Sequence, residues 1–229
     1  MDSLGSRYRS VLERIDAAAQ KAGRNRDEIT LIVVTKNHPA DVVLDLIELG
    51  ASHFGENRDQ EAKAKAQEVF EKNPTAKYDW HFVGQLQSNK VKSVLNYADT
   101  IHSLDRQSLL TELAKNVGNR GKPLDVFIEL NLTEDSGRGG IAPKDLPAFA
   151  EKVNLVPGLN LLGVMGVAGL GEVPAQEFER VAGASAVLRS EIPTAKYISA
   201  GMTGDFEEAI LAGATHLRIG TAITGNRPS

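Results

Sequence analysis

The chain has 229 residues, no cysteine and a formal net charge of −4. The lack of cysteine excludes disulfides, thiolate metal sites and cysteine nucleophiles, and the mild acidity leaves no basic bias toward nucleic acid or anionic membrane. With 41% hydrophobic and 24% charged residues, no apolar run near the roughly 20 residues that span a bilayer, and a charged Met1–Ala22 segment unlike a signal peptide, the composition predicts a cytoplasmic globular chain with one domain over residues 1–229.

In chain order, Leu4, Tyr8, Val11, Leu12, Ile15, Ala18, Ala19 and Ala22 draw one apolar stripe and predict an opening helix that Gly23 ends. Leu31–Thr35 is a β-branched run and reads as a buried strand. A helix follows from about Pro39, with Val42, Val43, Leu46, Ile47 and Leu49 as its apolar face and Gly50 as its stop. Further strands fit Ser52–Phe54, Trp80–Gly84, Thr100–Ser103, Asp125–Leu130, Leu161–Met165, Lys196–Ser199 and Thr215–Ile219. Helical patterns occupy Gln60–Phe70, Arg106–Val117, Pro143–Val153, Pro174–Arg189 and Asp205–Ala212. Eight short strands alternating with helices predict an α/β chain closed into a single (β/α)8 barrel, with the N-terminal helix packed on it as the missing outer helix. An open doubly wound sheet would carry a glycine-rich turn after the first strand, and Thr35-Lys36-Asn37 has none. The stretch Thr133–Gly140, rich in Gly, Ser and charge, reads as a loop.

In such barrels chemistry gathers at the C-terminal ends of the strands. The first strand ends at Lys36, which shares the inward parity of Val34 and Ile32 and reads equally as a strand-end lysine reaching to solvent or as an amine that attacks an aldehyde. On the eighth, Leu217 and Ile219 suit the helix layer, so His216 and Arg218 point inward. An inward arginine needs a partner, either a carboxylate such as Glu129 or a bound ligand. Ser199-Ala200-Gly201-Met202-Thr203-Gly204 and Ile219-Gly220-Thr221 occupy the loops after strands seven and eight, where this fold frequently binds phosphate. An amine that traps an aldehyde, a phosphate cradle and an inward arginine are the parts that pyridoxal 5′-phosphate requires.

At these residues the sequence resembles the pyridoxal phosphate homeostasis proteins, single-domain relatives of the alanine racemase barrel (fold type III among proteins that use this cofactor). The resemblance rests on Val33-Val34-Thr35-Lys36, Phe54-Gly55-Glu56-Asn57, His81 to Lys90, Ser199 to Asp205 and Arg218 to Ile223, in the family's order across nearly the whole chain. It implies pyridoxal phosphate held as a Schiff base on Lys36 and Asn57 lining the pocket. Ser199, Gly201, Met202 and Thr203 would shape the phosphate loop, Gly220 and Thr221 complete it, and Arg218 lie near the pyridine nitrogen. It implies a carrier, reservoir or regulator in vitamin B6 homeostasis, with apo-enzymes that use the cofactor as acceptors; a monomer is expected because the racemase dimer relies partly on an additional domain. Arg58-Asp59 stand where the family commonly has an aromatic and a small residue, and Gly137-Arg138-Gly139-Gly140 where one glycine is expected.

Two alternatives belong to other classes. A racemase needs a second proton donor, which in the larger relatives is a tyrosine brought by an additional β domain. None of Tyr8, Tyr78, Tyr97 and Tyr197 has an arguable place for that role, and the chain ends at Ser229, so the non-enzyme reading is preferred. A metal-dependent hydrolase would use His53, His81, His102 and His216, but no H-x-H or H-E-x-x-H occurs and strand histidines are commonly hydrogen-bonded core residues. His38 is expected to face solvent. Lys90 and Lys92 read as a solvated helix face, with Lys90 also a motif position that a second cofactor-handling site would use.

Overall fold

The computed structural model describes residues 3–133, 139–169 and 171–226. Eight parallel strands close in chain order into a barrel: β1 Thr30–Val34, β2 His53–Glu56, β3 Asp79–Phe82, β4 Thr100–Leu104, β5 Leu124–Glu129, β6 Leu159–Met165, β7 Tyr197–Ser199 and β8 His216–Ile219. Strand β8 pairs back onto β1, which sets Arg218 beside Ile32 and brings the two ends of the described chain into one wall. The α/β barrel expected from the alternation is the observed fold.

The outer layer is formed by α1 Leu4–Lys21, α2 Ala40–Glu48, α3 Asp59–Lys72, α4 Val91–Val94, α5 Gln107–Asn116, α6 Leu146–Asn154, α7 Pro174–Glu191, α8 Phe206–Leu211 and α9 Thr221–Thr224. Ser3 caps α1 through its side chain, and Tyr8, Val11, Ile15, Ala18 and Ala19 bury its apolar stripe. The helix after β8 is a single turn, so α1 fills the remaining outer position. It packs on α8 and α9, while Gly5 lies against Leu49 at the end of α2.

Strand parity divides the core. Val33, Phe54, Leu217 and Ile219 face the helices on one side, and Val126, Ile128, Leu161 and Val164 face those on the other. The alternate positions fill the barrel, and the rings of His53, His81, His102, Phe127 and His216 form a continuous contact series there. The β5–β6 register slips between Val126 and Phe127, opposite Gly163. A Cβ at Gly163 would sit 1.8 Å from the Tyr197 carbonyl oxygen, and its φ is +154°, so only glycine lets β6 and β7 approach here.

Two sequence expectations need correction or limits. His38 does not face solvent: it is buried against the barrel rim, its N–H bonded to the Thr35 carbonyl, and burial with the nearby Lys65 charge lowers its pKa. The Thr133–Gly140 loop lies largely outside the described residues, including Gly137 and Arg138. Among the described residues no helix is long and apolar enough to cross a membrane.

Candidate functional site

The upper end of β1 is anchored by a buried polar cluster. Thr35 faces outward, where its hydroxyl donates to Glu56 Oε1 at 2.7 Å and its carbonyl accepts from Lys65 Nζ at 2.8 Å. Lys65 Nζ also bonds Glu56 Oε1 at 2.6 Å and Glu61 Oε1 at 3.1 Å, and Glu61 accepts from the Asn37 N–H at 2.5 Å. Both neighbours of Lys36 are therefore fixed, with Asn37 in the left-handed region at φ +64°. Lys36 itself is exposed at the barrel mouth, on the face of Ile32 and Val34. Burial raises the Glu56 pKa, opposed by the Lys65 charge and by hydrogen bonds from Lys65 and Thr35.

Lys65 belongs to no recognisable motif. The available signal is its place in the buried series Ala62, Lys65, Ala66, Val69 on α3, where a lysine on a small-residue stripe must find an acid to survive burial.

Across the barrel, Arg218 on β8 is buried. Its Nη1 donates to Ser199 Oγ at 2.5 Å and its Nη2 to the Gly166 carbonyl at 3.0 Å, while its backbone N–H bonds the Gly201 carbonyl at 2.9 Å. Burial pushes its pKa down to about 10, against the charges of Glu129 and Asp205, so it remains a cation at neutral pH. Glu129 acts on Arg218 through its charge, while the guanidinium's hydrogen bonds go to Ser199 and Gly166.

The loops after β7 and β8 meet above this arginine. Gly201 has φ +91°, and a Cβ there would come within 2.8 Å of Ala209 Cβ and 2.9 Å of Phe206 Cα, so glycine seats the loop on α8. The Met202 N–H donates to Asp205 Oδ1 at 2.6 Å and the Asp205 N–H to the Met202 carbonyl, which closes the turn. Thr221 Oγ1 donates to Thr203 Oγ1 at 3.3 Å, tying the two loops together. At Gly220 a Cβ would lie 3.3 Å from the Val34 carbonyl oxygen, tight against β1.

These elements enclose a cavity of about 430 Å³, within the range of small-molecule sites. Lys36, Asn57, Met202, Thr203, Arg218, Gly220 and Thr221 all line it. Ser199 and Gly201 do not. Ser199 is fully buried beneath the cavity, bonded to Arg218 and His102, and Gly201 shapes the turn from behind. Gly84 explains how Asn57 reaches the lining: a Cβ at Gly84 would fall 2.3 Å from the Asn57 carbonyl oxygen, so the chains after β2 and β3 touch. Val83 and Val167 add apolar walls, which polar residues at strand ends do not signal. An adjoining groove of about 530 Å³ shares Asn57 and Gln85 with the cavity, and Lys90 lines it together with Arg58. Of the histidines of the hydrolase alternative, His53, His81 and His102 bond ring to ring while His216 Nδ1 bonds the Thr215 hydroxyl, and among the described residues no group of three or more His, Asp or Glu is placed to hold a metal ion.

Residues 8–228 match the family described as alanine racemase, N-terminal domain. The pyridoxal phosphate homeostasis protein of Vibrio cholerae is 35% identical over 99% of this chain and 98% of its own. The crystal structure of an unknown protein from Bifidobacterium adolescentis superposes with a TM-score of 0.89 at 30% identity, covering 96% of this chain and 94% of that one. The structure of PipY from Synechococcus elongatus with pyridoxal phosphate bound superposes with a TM-score of 0.80 at 32% identity, covering 94% and 100%.

Proposed function

We propose that this chain, which belongs to the alanine racemase N-terminal-domain family and within it to the pyridoxal phosphate homeostasis proteins, holds pyridoxal 5′-phosphate covalently on Lys36 and serves as its carrier and reservoir. The observation that carries this reading is one cavity faced by an exposed amine, Lys36, by the paired hydroxyls of Thr203 and Thr221, and by the fixed cation Arg218.

The residues fit the cofactor part by part. Lys36 is the only lysine among the cavity's lining residues, and its two flanking residues are held by the Glu56–Lys65–Glu61 cluster. At the Thr203 and Thr221 loops, hydroxyls and the bare backbone of Gly204 and Gly220 suit a phosphate. Asn57 closes the side toward β3. Bound pyridoxal phosphate supplies an electrophilic carbonyl and, when its ring nitrogen is protonated, an electron sink. A guanidinium has donors only and keeps its proton at neutral pH, so Arg218 would hydrogen-bond a ring nitrogen of the bound cofactor without protonating it. That favours storage over carbanion chemistry.

The tyrosines point the same way. Tyr78 packs with Phe54 and Trp80 outside the barrel, Tyr97 faces Asp59, Tyr197 meets His216 at the lower mouth, and Tyr8 lies in α1. None lines the cavity, so a second proton donor of the racemase kind has no candidate among them. On this reading the protein is a cytoplasmic monomer, and apo-enzymes that use the cofactor are its acceptors. The test is to mix loaded protein with the apo-form of a pyridoxal phosphate enzyme and follow restored activity, while incubating the loaded protein with L-alanine in deuterium oxide. Transfer that depends on Lys36, without deuterium at the α-carbon, is expected. Enzymatic α-deuteration lost in Lys36→Ala would replace the carrier with a racemase-type catalyst.

A further inference from the structure

Below the cavity, a file of polar side chains runs through the barrel interior that the holding of a cofactor does not by itself require. His53 Nδ1 lies 3.1 Å from His81 Nε2, His81 Nδ1 lies 2.9 Å from His102 Nε2, and His102 Nδ1 lies 2.8 Å from Ser199 Oγ. Ser199 Oγ in turn receives Arg218 Nη1. One strand after another supplies a member, β2, β3, β4, β7 and β8, each at an inward-facing position. Ser199, His81, His102 and Arg218 are all buried, whereas His53 keeps 31% of its side chain exposed at the opposite end of the file.

The direction of these bonds follows from donor and acceptor inventory. A guanidinium only donates, so Ser199 Oγ accepts from Arg218. The serine hydroxyl then has one proton to place, and His102 Nδ1 is the other group bonded to it. A neutral imidazole has one donor and one acceptor. If His102 accepts at Nδ1, its proton is on Nε2 and points at His81 Nδ1. His81 must likewise carry its proton on Nε2 and point it at His53 Nδ1. The opposite sense would make Ser199 accept from both sides and strand its hydroxyl proton in a fully buried position, which native interiors avoid.

We propose that His102, His81 and His53, acting through Ser199, form a directed hydrogen-bond relay that positions Arg218 toward the cavity and couples it to the protonation of His53 at the lower mouth of the barrel. The relay runs Arg218 to Ser199 to His102 to His81 to His53, with all three rings as Nε2–H tautomers. A proton taken from water by His53 turns its Nδ1 from acceptor into donor, so that it meets the His81 N–H head on. The relay therefore resists protonation of His53, and protonation breaks the His53–His81 bond. The other groups facing His53 are Asp79 of β3, with Oδ2 3.6 Å away, Asp99 ahead of β4, which is paired with Lys122, and His216 of β8. The two carboxylates favour a charged His53. Burial opposes it, as does a charged His216, which titrates only at about 4.

What Arg218 does to a ligand rests on the cofactor reading above, but the relay itself is a property of the chain alone. The experiment is long-range 1H–15N NMR of histidine-labelled protein without cofactor, across pH 5 to 8, for wild type, Ser199→Ala and Ser199→Thr. The expected wild-type result is Nε2–H for His53, His81 and His102 at pH 7.5. Ser199→Ala is expected to mix the His102 and His81 tautomers and raise the pH at which His53 titrates, and Ser199→Thr, which keeps the hydroxyl, to restore both. Nδ1–H on His81 or His102 in the wild type overturns the proposal, and this outcome is readable even if Ser199→Ala does not fold. Unmoved tautomers and an unmoved His53 titration in a folded Ser199→Ala overturn it as well. A protein with the predicted tautomers that fails to take up pyridoxal phosphate sinks the cofactor reading and leaves the relay standing.

Discussion

Acidification should weaken this fold through the histidines packed inside the barrel, and His216 lets the effect be sized. Its ordinary pKa of 6.5 is lowered to about 4, chiefly by burial and then by the neighbouring His53 and Arg218 charges. The unfolded chain takes up a proton at this ring near pH 6.5 and the folded chain near 4, so between those values the unfolded state binds more protons and stability falls as pH falls. Each pH unit in that window is worth about 1.4 kcal/mol. Moving from pH 7 to 5 therefore removes about 2 kcal/mol through His216 alone, the upper end because the ring keeps an edge open to the lower mouth. His81 and His102, lowered well below the ordinary value by burial, act in the same direction. Glu56 and Asp125, raised by burial, act in the opposite one, since the folded state takes up their protons first. Comparing wild type with His216→Gln isolates the ring together with its smaller coupling to His81 and His102, whose pKa values its charge helps to lower. Urea unfolding followed by circular dichroism at pH 7 and pH 5 should show the wild type losing about 2 kcal/mol more than the variant. Equal losses in the two proteins, or a wild type more stable at pH 5, would refute the reasoning.

Removing one partner of the buried cluster behind Lys36 should be severe. Lys65→Met strands the Glu56 carboxylate and should cost about 3–5 kcal/mol in urea unfolding, and adding Glu56→Leu should recover most of it. Gly84→Ala would press a methyl group on the Asn57 backbone, so a loss of about 1–3 kcal/mol and weaker uptake of pyridoxal phosphate by equilibrium dialysis are expected. Thr203→Ala with Thr221→Ala removes two hydroxyls from the open cavity mouth. It should weaken retention of the cofactor by roughly tenfold or more while leaving the unfolding midpoint of the cofactor-free protein nearly unchanged.

Much of the architecture was legible because barrel strands are short and their parity is strict. Counting in twos from Ile32 placed Lys36 at the cavity, and the same count on β8 sent Arg218 inward and Leu217 and Ile219 to the helices. Parity gives the face of a strand but not the depth along it, and Ser199 shows the difference. Its hydroxyl suggested a phosphate contact, yet the residue lies one layer beneath the cavity and supports Arg218 from below. Lys65 escaped for another reason: a lysine on an amphipathic helix reads as solvated until its position among Ala62, Ala66 and Val69 is set against the acids of β2 and α3 that surround it. His38 was misread because the turn after Lys36 folds it back onto the rim, a tertiary contact that local polarity does not reveal.

The central claim is that Lys36, and no other amine, takes the cofactor. Incubating the protein with pyridoxal phosphate, reducing with borohydride and mapping the modified peptide tests it most directly. The account predicts one reduced adduct per chain on the peptide that contains Lys36, with none in Lys36→Ala. A label spread over the other lysines, or one retained in Lys36→Ala, would contradict it.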